Sequence, residues 1–503
     1  MTPDAPPGPD PRRWRVLSVC LVAGFMSLLN VSIVNVALPS IEEGVGASES
    51  QLQWVLTGYA LTFGLALVPA GRLGDSAGRK KLFLVGLGLF LVASLACGLA
   101  TGPETLVLAR LVQGVGAGVL NPQITAIIQS MFTGPERGRA FGLFGGTIGL
   151  STAAGPLIGG AILQLVPGDT AWRWVFLVNI PVGLVALVLA VRLLRHEASG
   201  ERQRLDWTGS LLLGLAVVLV LLPLQERSVL GTPLVAACLV LALVVGAGFL
   251  AWERRTAARG HTPLVRLGLL RQAAFVSGAG LGTLYFAGFT AIFFVLTLYL
   301  QQDLGYSPLQ AGLTTTPFAV AGAVSAPLAG RHVLRLGRRM VVTGLLLVTA
   351  GLLGSIAVIE VVAPQVGTGR TGLLLALPLL VAGAGSGMVV SPNVTLTLAG
   401  VEGRDAGSAS GVLQTTQRLG SAAGIAVVGA VFFALEGSGS GRSAIGVALG
   451  VTTGLIALAL VPAVLDTRRQ GREERAAAHE HDGSSDADDP PHTHPEHRVS
   501  MGH

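Results

Sequence analysis

Residues Ala70 to Lys81 read AGRLGDSAGRKK, a short basic and glycine-rich connection. Long uncharged apolar runs flank it, at about 52–70 and 82–101. A helix needs about 20 apolar residues to cross a bilayer, and basic residues gather in the connections on the cytoplasmic side. The stretch therefore reads as the turn of a membrane hairpin. It also returns: Ala329 to Arg339 reads AGRHVLRLGRR. Gly71, Arg72, Gly78, Arg79 and Lys80 are matched by Gly330, Arg331, Gly337, Arg338 and Arg339 at a constant offset of 259. The acid does not repeat, because Leu334 stands opposite Asp75. Two parallel halves follow from such a repeat, with a substrate site expected between them near the midplane.

The rest of the chain agrees. Its 503 residues are 51% hydrophobic and 12% charged, against roughly 25% charged in an ordinary soluble domain. Mean hydropathy is +0.66. These values exclude a disordered protein and a soluble enzyme of two or three domains. Cys20, Cys97 and Cys238 lie far apart in apolar runs, without metal or disulfide spacing. No phosphate-binding glycine loop, nucleophile elbow or zinc spacing occurs, so neither enzyme chemistry, cofactor nor metal is expected. The arginines are dispersed in short clusters, which argues against nucleic acid as a partner.

Fourteen apolar runs of crossing length are expected, at about 14–39, 52–70, 82–101, 105–128, 141–163, 174–193, 207–224, 231–251, 274–300, 309–329, 340–360, 371–399, 407–433 and 442–465. With both termini in the cytoplasm, 28 of the 34 Lys and Arg fall inside and four outside. Arg110 and Arg418 lie within spans. Losing one span would invert every later connection and destroy this alternation. The repeat pairs span 2 with span 10. The expected fold is thus an all-α polytopic membrane protein: a cytoplasmic segment 1–13, a six-helix bundle 14–195, two inserted helices 207–251, a second bundle 274–465 and a disordered tail 466–503.

These motifs resemble the major facilitator superfamily, and within it the fourteen-span drug:proton antiporters. The likeness covers about residues 14–465 and is most specific at Gly71, Arg72, Gly74, Asp75, Gly78, Arg79 and Lys80. It implies that this connection latches the cytoplasmic side shut, with Asp75 and Arg79 as the charged partners. A second match is Leu108 to Gly118, LARLVQGVGAG. There the resemblance implies that Arg110 faces a central cavity, and burial of a guanidinium in a span independently demands polar surroundings. A third match lies in span 5, at Gly149, Gly155, Pro156, Gly159 and Gly160. It resembles the motif of antiporters and implies a kinked, closely packed gate helix.

The first span departs from the family. Asn30 stands where the fourteen-span relatives usually carry an Asp that is a candidate proton carrier. An amide cannot titrate. Glu104, Asp206 and Glu360 lie at span ends, and Asp75 and Asp405 in connections, so no midplane carboxylate is expected. Coupling would need a peripheral acid such as Asp75 or Glu360, or the substrate's own titration. Two fixed cations would disfavour cationic substrates. The alternative is that Gln113, Asn30 and Asn35 mask Arg110 in a hydrogen-bonded network. Asn121, Gln123, Asn393, Gln414, Gln417 and Arg418 complete the polar residues expected at a cavity. Aromatic side chains of span 9 (Phe275, Tyr285, Phe286, Phe289, Phe293, Phe294, Tyr299) could stack a flat substrate, contact lipid or pack the core. Six of the nine His lie in the tail, beyond residue 467.

The resemblance implies a monomeric transporter of the bacterial cytoplasmic membrane, exporting hydrophobic drugs, antibiotics or secondary metabolites in exchange for protons. Asn30 leaves an uncoupled facilitator open. A non-transporting sensor or scaffold is disfavoured by the intact connection with Asp75.

Overall fold

The computed structural model describes residues 11–168, 170–194, 206–225, 227–261, 263–436 and 441–469. Most of the N-terminal segment, the stretch expected to join the first bundle to the inserted helices, and the tail after 469 lie outside the described residues. Among the described residues the chain is helical and contains no strand.

The helices are α1 (Arg13–Val45), α2 (Glu49–Ala77), α3 (Arg79–Gly98), α4 (Pro103–Met131), α5 (Gly134–Leu165) and α6 (Ala171–Leu193, interrupted at Val178). Then come α7 (Trp207–Gln225) and α8 (Arg227–Ala258). The second series is α9 (Ala273–Asp303), α10 (Pro308–Leu336), α11 (Arg338–Val366), α12 (Thr368–Leu398), α13 (Ala406–Glu436) and α14 (Ala444–Arg469).

The repeat extends well beyond the basic connection. Helix α2 starts with a capping box, in which Ser48 Oγ accepts from Gln51 N at 3.4 Å and Gln51 Oε1 accepts from Ser48 N at 2.9 Å. Helix α10 starts the same way with Ser307 and Gln310, at 3.3 and 2.9 Å. Both helices end at the repeated glycine, Gly78 at φ 97° and Gly337 at φ 55°. Positive φ strains any residue with a Cβ, so glycine permits the reversal there. The connection itself is shorter than the sequence suggests. Gly71 to Ala77 are the last turns of α2, and Gly78 alone separates them from α3. Gly71 and Gly74 therefore serve packing, and Gly78 the turn.

Helix pairing also repeats. In the first series α2 and α3 flank α4, and α1 packs on α5 and α6. In the second, α10 and α11 flank α12, and α9 packs on α13 and α14. Each series has its own apolar core, around Phe83, Phe90 and Leu120 in the first and Leu281, Ile292 and Leu379 in the second. The series meet along two seams, α2 on α13 and α5 on α10. Helices α7 and α8 pack on each other, and α7 rests against α2 and α13.

Large apolar side chains stay exposed on the outside, among them Val185 and Val191 on α6, Leu243 and Val244 on α8, and Leu373 and Leu377 on α12. A surface of that kind is matched to lipid. Twelve helices among the described residues are long and apolar enough to cross a membrane, or thirteen if the bent halves of α5 form one span. Fourteen were expected. Helix α10 falls short because Gln310 and Thr314 to Thr316 lie near one end and Arg331, His332 and Arg335 near the other. The bend in α5 is 42°, between Thr152 and Ala154. Pro156 lies in the following turn, where its ring cannot donate to the Thr152 carbonyl and crowds it.

Candidate functional site

The two seams are built by glycine. A Cβ on Gly71 would lie 2.2 Å from the Gly407 carbonyl oxygen, and one on Gly330 would lie 2.1 Å from that of Gly138. The repeated glycine of each half thus touches the opposite half backbone to backbone. Along the same seams Gly411 approaches the Leu67 carbonyl and Gly142 that of Ala326.

Beside Gly71, Asp75 reaches across to the first turn of α13. Its carboxylate accepts the backbone N–H of Gly407 at 3.0 Å and of Ser408 at 2.9 Å. A carboxylate on those free N–H groups is favoured by hydrogen bonding and by the helix dipole. Arg79 pairs with Asp75 at 3.6 Å. It also donates to the carbonyls of Ala126, in its own half, and Gly403, in the other. Arg72 lies 3.6 Å from Asp405, which Arg266 also meets at 3.0 Å. Gln129 on α4 adds a link to the Leu398 carbonyl, at 2.7 Å. Lys80 stays within its half and donates to the carbonyls of Val191 and Leu194 at the end of α6. Gln123 ties α4 to α2 through the Ala70 carbonyl at 2.9 Å, and Gly74 leaves it room.

Deeper in the first series, Arg110 is 1% exposed. Its Nε donates to the Val55 carbonyl at 2.7 Å, and its Nη1 to Gln113 Oε1 at 2.7 Å and to Asn30 Oδ1. The guanidinium stacks on Tyr59, 4.3 Å from the ring centroid. Gln113 passes the network to Ser94 at 2.7 Å, and Asn121 joins Ser27, whose carbonyl accepts from Tyr59. Asn35 is exposed and stands apart from this network. Among the described residues Asn30 Nδ2 is buried without a partner.

The second series has its own buried cation. Arg338, the counterpart of Arg79, is 1% exposed and donates to Asp466 Oδ2 at 2.5 Å and to Asn393 Oδ1. Asn393 in turn donates to the Gly278 carbonyl at 2.9 Å. Sequence reading placed Arg338 in a connection and passed over Asp466. The signal was in the repeat: with Leu334 in place of an acid, Arg338 needs its carboxylate from elsewhere.

Between the halves, Gln414 reaches Thr125 at 3.5 Å. Within the second half, Gln417 and Asn393 converge on Gly282 of α9, each 3.4 Å from a Cβ there, and Asn393 is buried. Arg418 is half-buried and lies over Phe63 of α2, 4.2 Å from the ring centroid. Among the described residues neither Arg110 nor Arg418 forms an ion pair. In α5, Gly155 and Gly159 pack on Ser32 and Ile33 of α1, and Gly160 faces Leu309. Pro156 meets Gly312 of α10, whereas Gly149 borders open space. The aromatics of α9 stack mainly on one another. Phe289 lies 5.7 Å from Tyr285 and 6.0 Å from Phe318, and the Tyr285 hydroxyl donates to Ser386 at 2.7 Å. A cavity of about 390 Å³ lies between α7, α8, α2 and α13, with Leu213, Val217, Phe249, Val412, Thr415 and Thr416 on its wall.

The Major Facilitator Superfamily profile matches residues 20–425 and, in a second match, 278–491. The chain is 38% identical to the "Probable actinorhodin transporter" of Streptomyces coelicolor, over 87% of this chain and 77% of that protein. It is 36% identical to the puromycin resistance protein pur8 of Streptomyces alboniger, over 94% and 95% respectively. Identity to the multidrug resistance protein Stp of Mycobacterium tuberculosis is 31%, over 82% and 74%. Among solved structures, the human organic anion transporter MFSD10 superposes with a TM-score of 0.64 at 18% identity, over 90% of this chain and 100% of that one. The proton:xylose symporter XylE superposes at 0.63 with 16% identity, over 89% and 94%.

Proposed function

Because the chain belongs to the Major Facilitator Superfamily, we propose that this multi-pass membrane transporter exports hydrophobic drugs, antibiotics or secondary metabolites by alternating access, in exchange for protons. It is a transporter and not an enzyme, with relatives named for antibiotic export and resistance. In the proposed arrangement fourteen spans cross the bacterial cytoplasmic membrane as a monomer, with both termini inside. Residues 14–195 and 274–465 form the two rocking bundles, and 207–251 the inserted pair.

The observation that carries the reading is Asp75 seated on the first turn of α13. It fastens the halves at one end through contacts that break if the halves rock apart. With that end on the cytoplasmic side, this contact would close the cytoplasmic gate in the outward-facing half of the proposed cycle. A substrate would lie between the halves, near Gln414, Gln417 and Arg418, whereas Asn393 is held by Arg338 and Gly278 inside the second half. The apolar walls around that region suit a hydrophobic compound, and the unpaired Arg418 disfavours organic cations.

Expression in a drug-hypersensitive bacterium, with intracellular accumulation measured for cationic, neutral and anionic compounds, tests the proposal. Lower accumulation of neutral or anionic hydrophobic compounds is expected. Unchanged accumulation across all three classes, with the protein in the membrane, contradicts it.

A second reading, facilitation without proton coupling, draws on Asn30. The position holds an amide committed to Arg110, so no proton can be carried there.

A further inference from the structure

The inserted helices end in a pair of carboxyl groups that the transport reading does not use. Glu253, in the last turns of α8, is 0% exposed. Its Oε2 accepts the backbone N–H of Val265 at 2.9 Å. Its Oε1 is buried and, among the described residues, has no hydrogen-bond partner. That oxygen points at the start of α7, where Asp206 caps the helix. Asp206 Oδ1 accepts from Gly209 N at 2.8 Å, and Oδ2 accepts from Trp252 Nε1 at 2.8 Å. A Cβ on Gly209 would lie 2.7 Å from Glu253 Oε1 and 2.8 Å from Asp206 Oδ2. The two carboxyl groups therefore line one small space that only glycine leaves open.

Two facing carboxylates, Glu253 buried and Asp206 half-buried, are costly to keep ionised together. A proton on Glu253 Oε1 converts an orphan acceptor into a donor aimed toward Asp206. Among the described residues, facing cations do not relieve the need. Arg72 of α2 acts on Glu253 from a distance but is held by Asp405. Arg266, from the segment after α8, is also taken by Asp405. Arg254 and Arg255 on α8 itself are exposed.

The pair is wired to the gate. The Val265 N–H held by Glu253 belongs to the segment between α8 and α9. Next to it, the Leu264 carbonyl accepts from Ser408 Oγ at 3.1 Å, and Arg266 meets Asp405 at 3.0 Å. Ser408 also gives its N–H to Asp75, and Asp405 also faces Arg72. We propose that Glu253 holds a proton toward Asp206, and that this proton-binding site fastens the inserted helices to the closed gate. Loss of the proton to water leaves two facing carboxylates. Their repulsion parts α7 from α8, draws Val265 away and loosens the segment that braces Asp405 and Ser408. The inserted helices are then a pH-sensitive brace on the gate, an assignment that rests on the transporter reading.

The test uses the full chain in proteoliposomes, with spin labels at Lys81→Cys and Gly403→Cys after Cys20, Cys97 and Cys238 are replaced. Lys81 and Gly403 are exposed and lie in opposite halves. The gate distance is measured against pH, together with the infrared band of protonated carboxyl groups. The parent is expected to open as pH rises, with a closed-to-open ratio changing about tenfold per pH unit on the titrating limb, as one proton requires. Glu253→Gln, which keeps an acceptor for Val265 and a donor for Asp206, should stay closed at every pH and lose the carboxyl band. Asp206→Asn, which preserves the helix cap, should also flatten the response. A Glu253→Gln protein that keeps the parent's pH response, or a band that survives the substitution in full, overturns the site. Normal transport with a gate distance indifferent to pH overturns the site and leaves the export reading standing. A pH-responsive distance without transport of any panel compound sustains the site and sinks the export reading.

Discussion

Replacing Asp75 by Asn should unlatch the gate. The carboxylate accepts two N–H groups of α13, at 3.0 and 2.9 Å, and its side chain is 3% exposed. Hydrogen bonds to a charged group contribute about 1.5–3 kcal/mol each, against about 0.5–1.5 kcal/mol for a neutral pair. A negative charge at a helix N-terminus adds up to about 2 kcal/mol in partly buried geometry. Asn keeps one carbonyl oxygen for one N–H, and its amide group has nothing to donate to at the other. Arg79 loses its partner but retains the Ala126 and Gly403 carbonyls. The net loss is about 2–4 kcal/mol, which lowers the closed-to-open ratio by about 30- to 900-fold. The assay is the distance between labels at positions 81 and 403, with transport measured on the same preparation. A broad, lengthened distance and loss of transport are expected. Refutation would be an Asp75→Asn protein that inserts normally, keeps the gate population within about twofold and transports at the parent rate.

Gly71→Ala and Gly330→Ala put a methyl group 2.2 and 2.1 Å from opposing carbonyl oxygens. Each should cost the closed state about 1–3 kcal/mol, seen as a longer gate distance; an unchanged distance in both would mean that the seams are loosely packed. Arg110→Ala leaves buried acceptors on Val55, Asn30 and Gln113 without their donor, at about 1–3 kcal/mol for each orphaned group. A melting curve in detergent should shift down by several degrees or more, and an unshifted curve contradicts the network. Asn30→Asp supplies a carboxylate to Arg110 and removes the orphan amide donor. If the facilitator reading holds, transport by this variant should respond to an imposed pH gradient more strongly than that of the parent, and equal responses would remove Asn30 from the coupling question.

Much of the architecture is legible in the sequence because bilayer physics leaves few options for long uncharged runs. The repeat at offset 259 announces the parallel halves, and the structure extends it to the caps at Ser48 and Ser307. The site is legible only in part. Residue type marks Arg110 as needing polar company, but not whether that company is a cavity or a wall. Partners from distant sequence decide it: Val55, Tyr59 and Asn30 close around the guanidinium. Asp466 and Glu253 escape notice for the same reason. Each sits at the end of an apolar helix, where an acid ordinarily meets water, and only packing reveals that both are buried. The glycines of the connection after α2 read as allowing both a tight turn and close helix approach, and the structure divides the two roles. Gly78 makes the turn, whereas Gly71 and Gly74 are helical and make the close contacts, a division that no local pattern encodes.

Uptake by inverted membrane vesicles, with and without an imposed pH gradient, tests the central claim most directly. Neutral, anionic and cationic hydrophobic compounds would be compared. The proposed exporter accumulates a neutral or anionic compound against its gradient only when the vesicle interior is acidic. Equilibration that ignores the pH gradient would contradict proton-driven export and establish a facilitator.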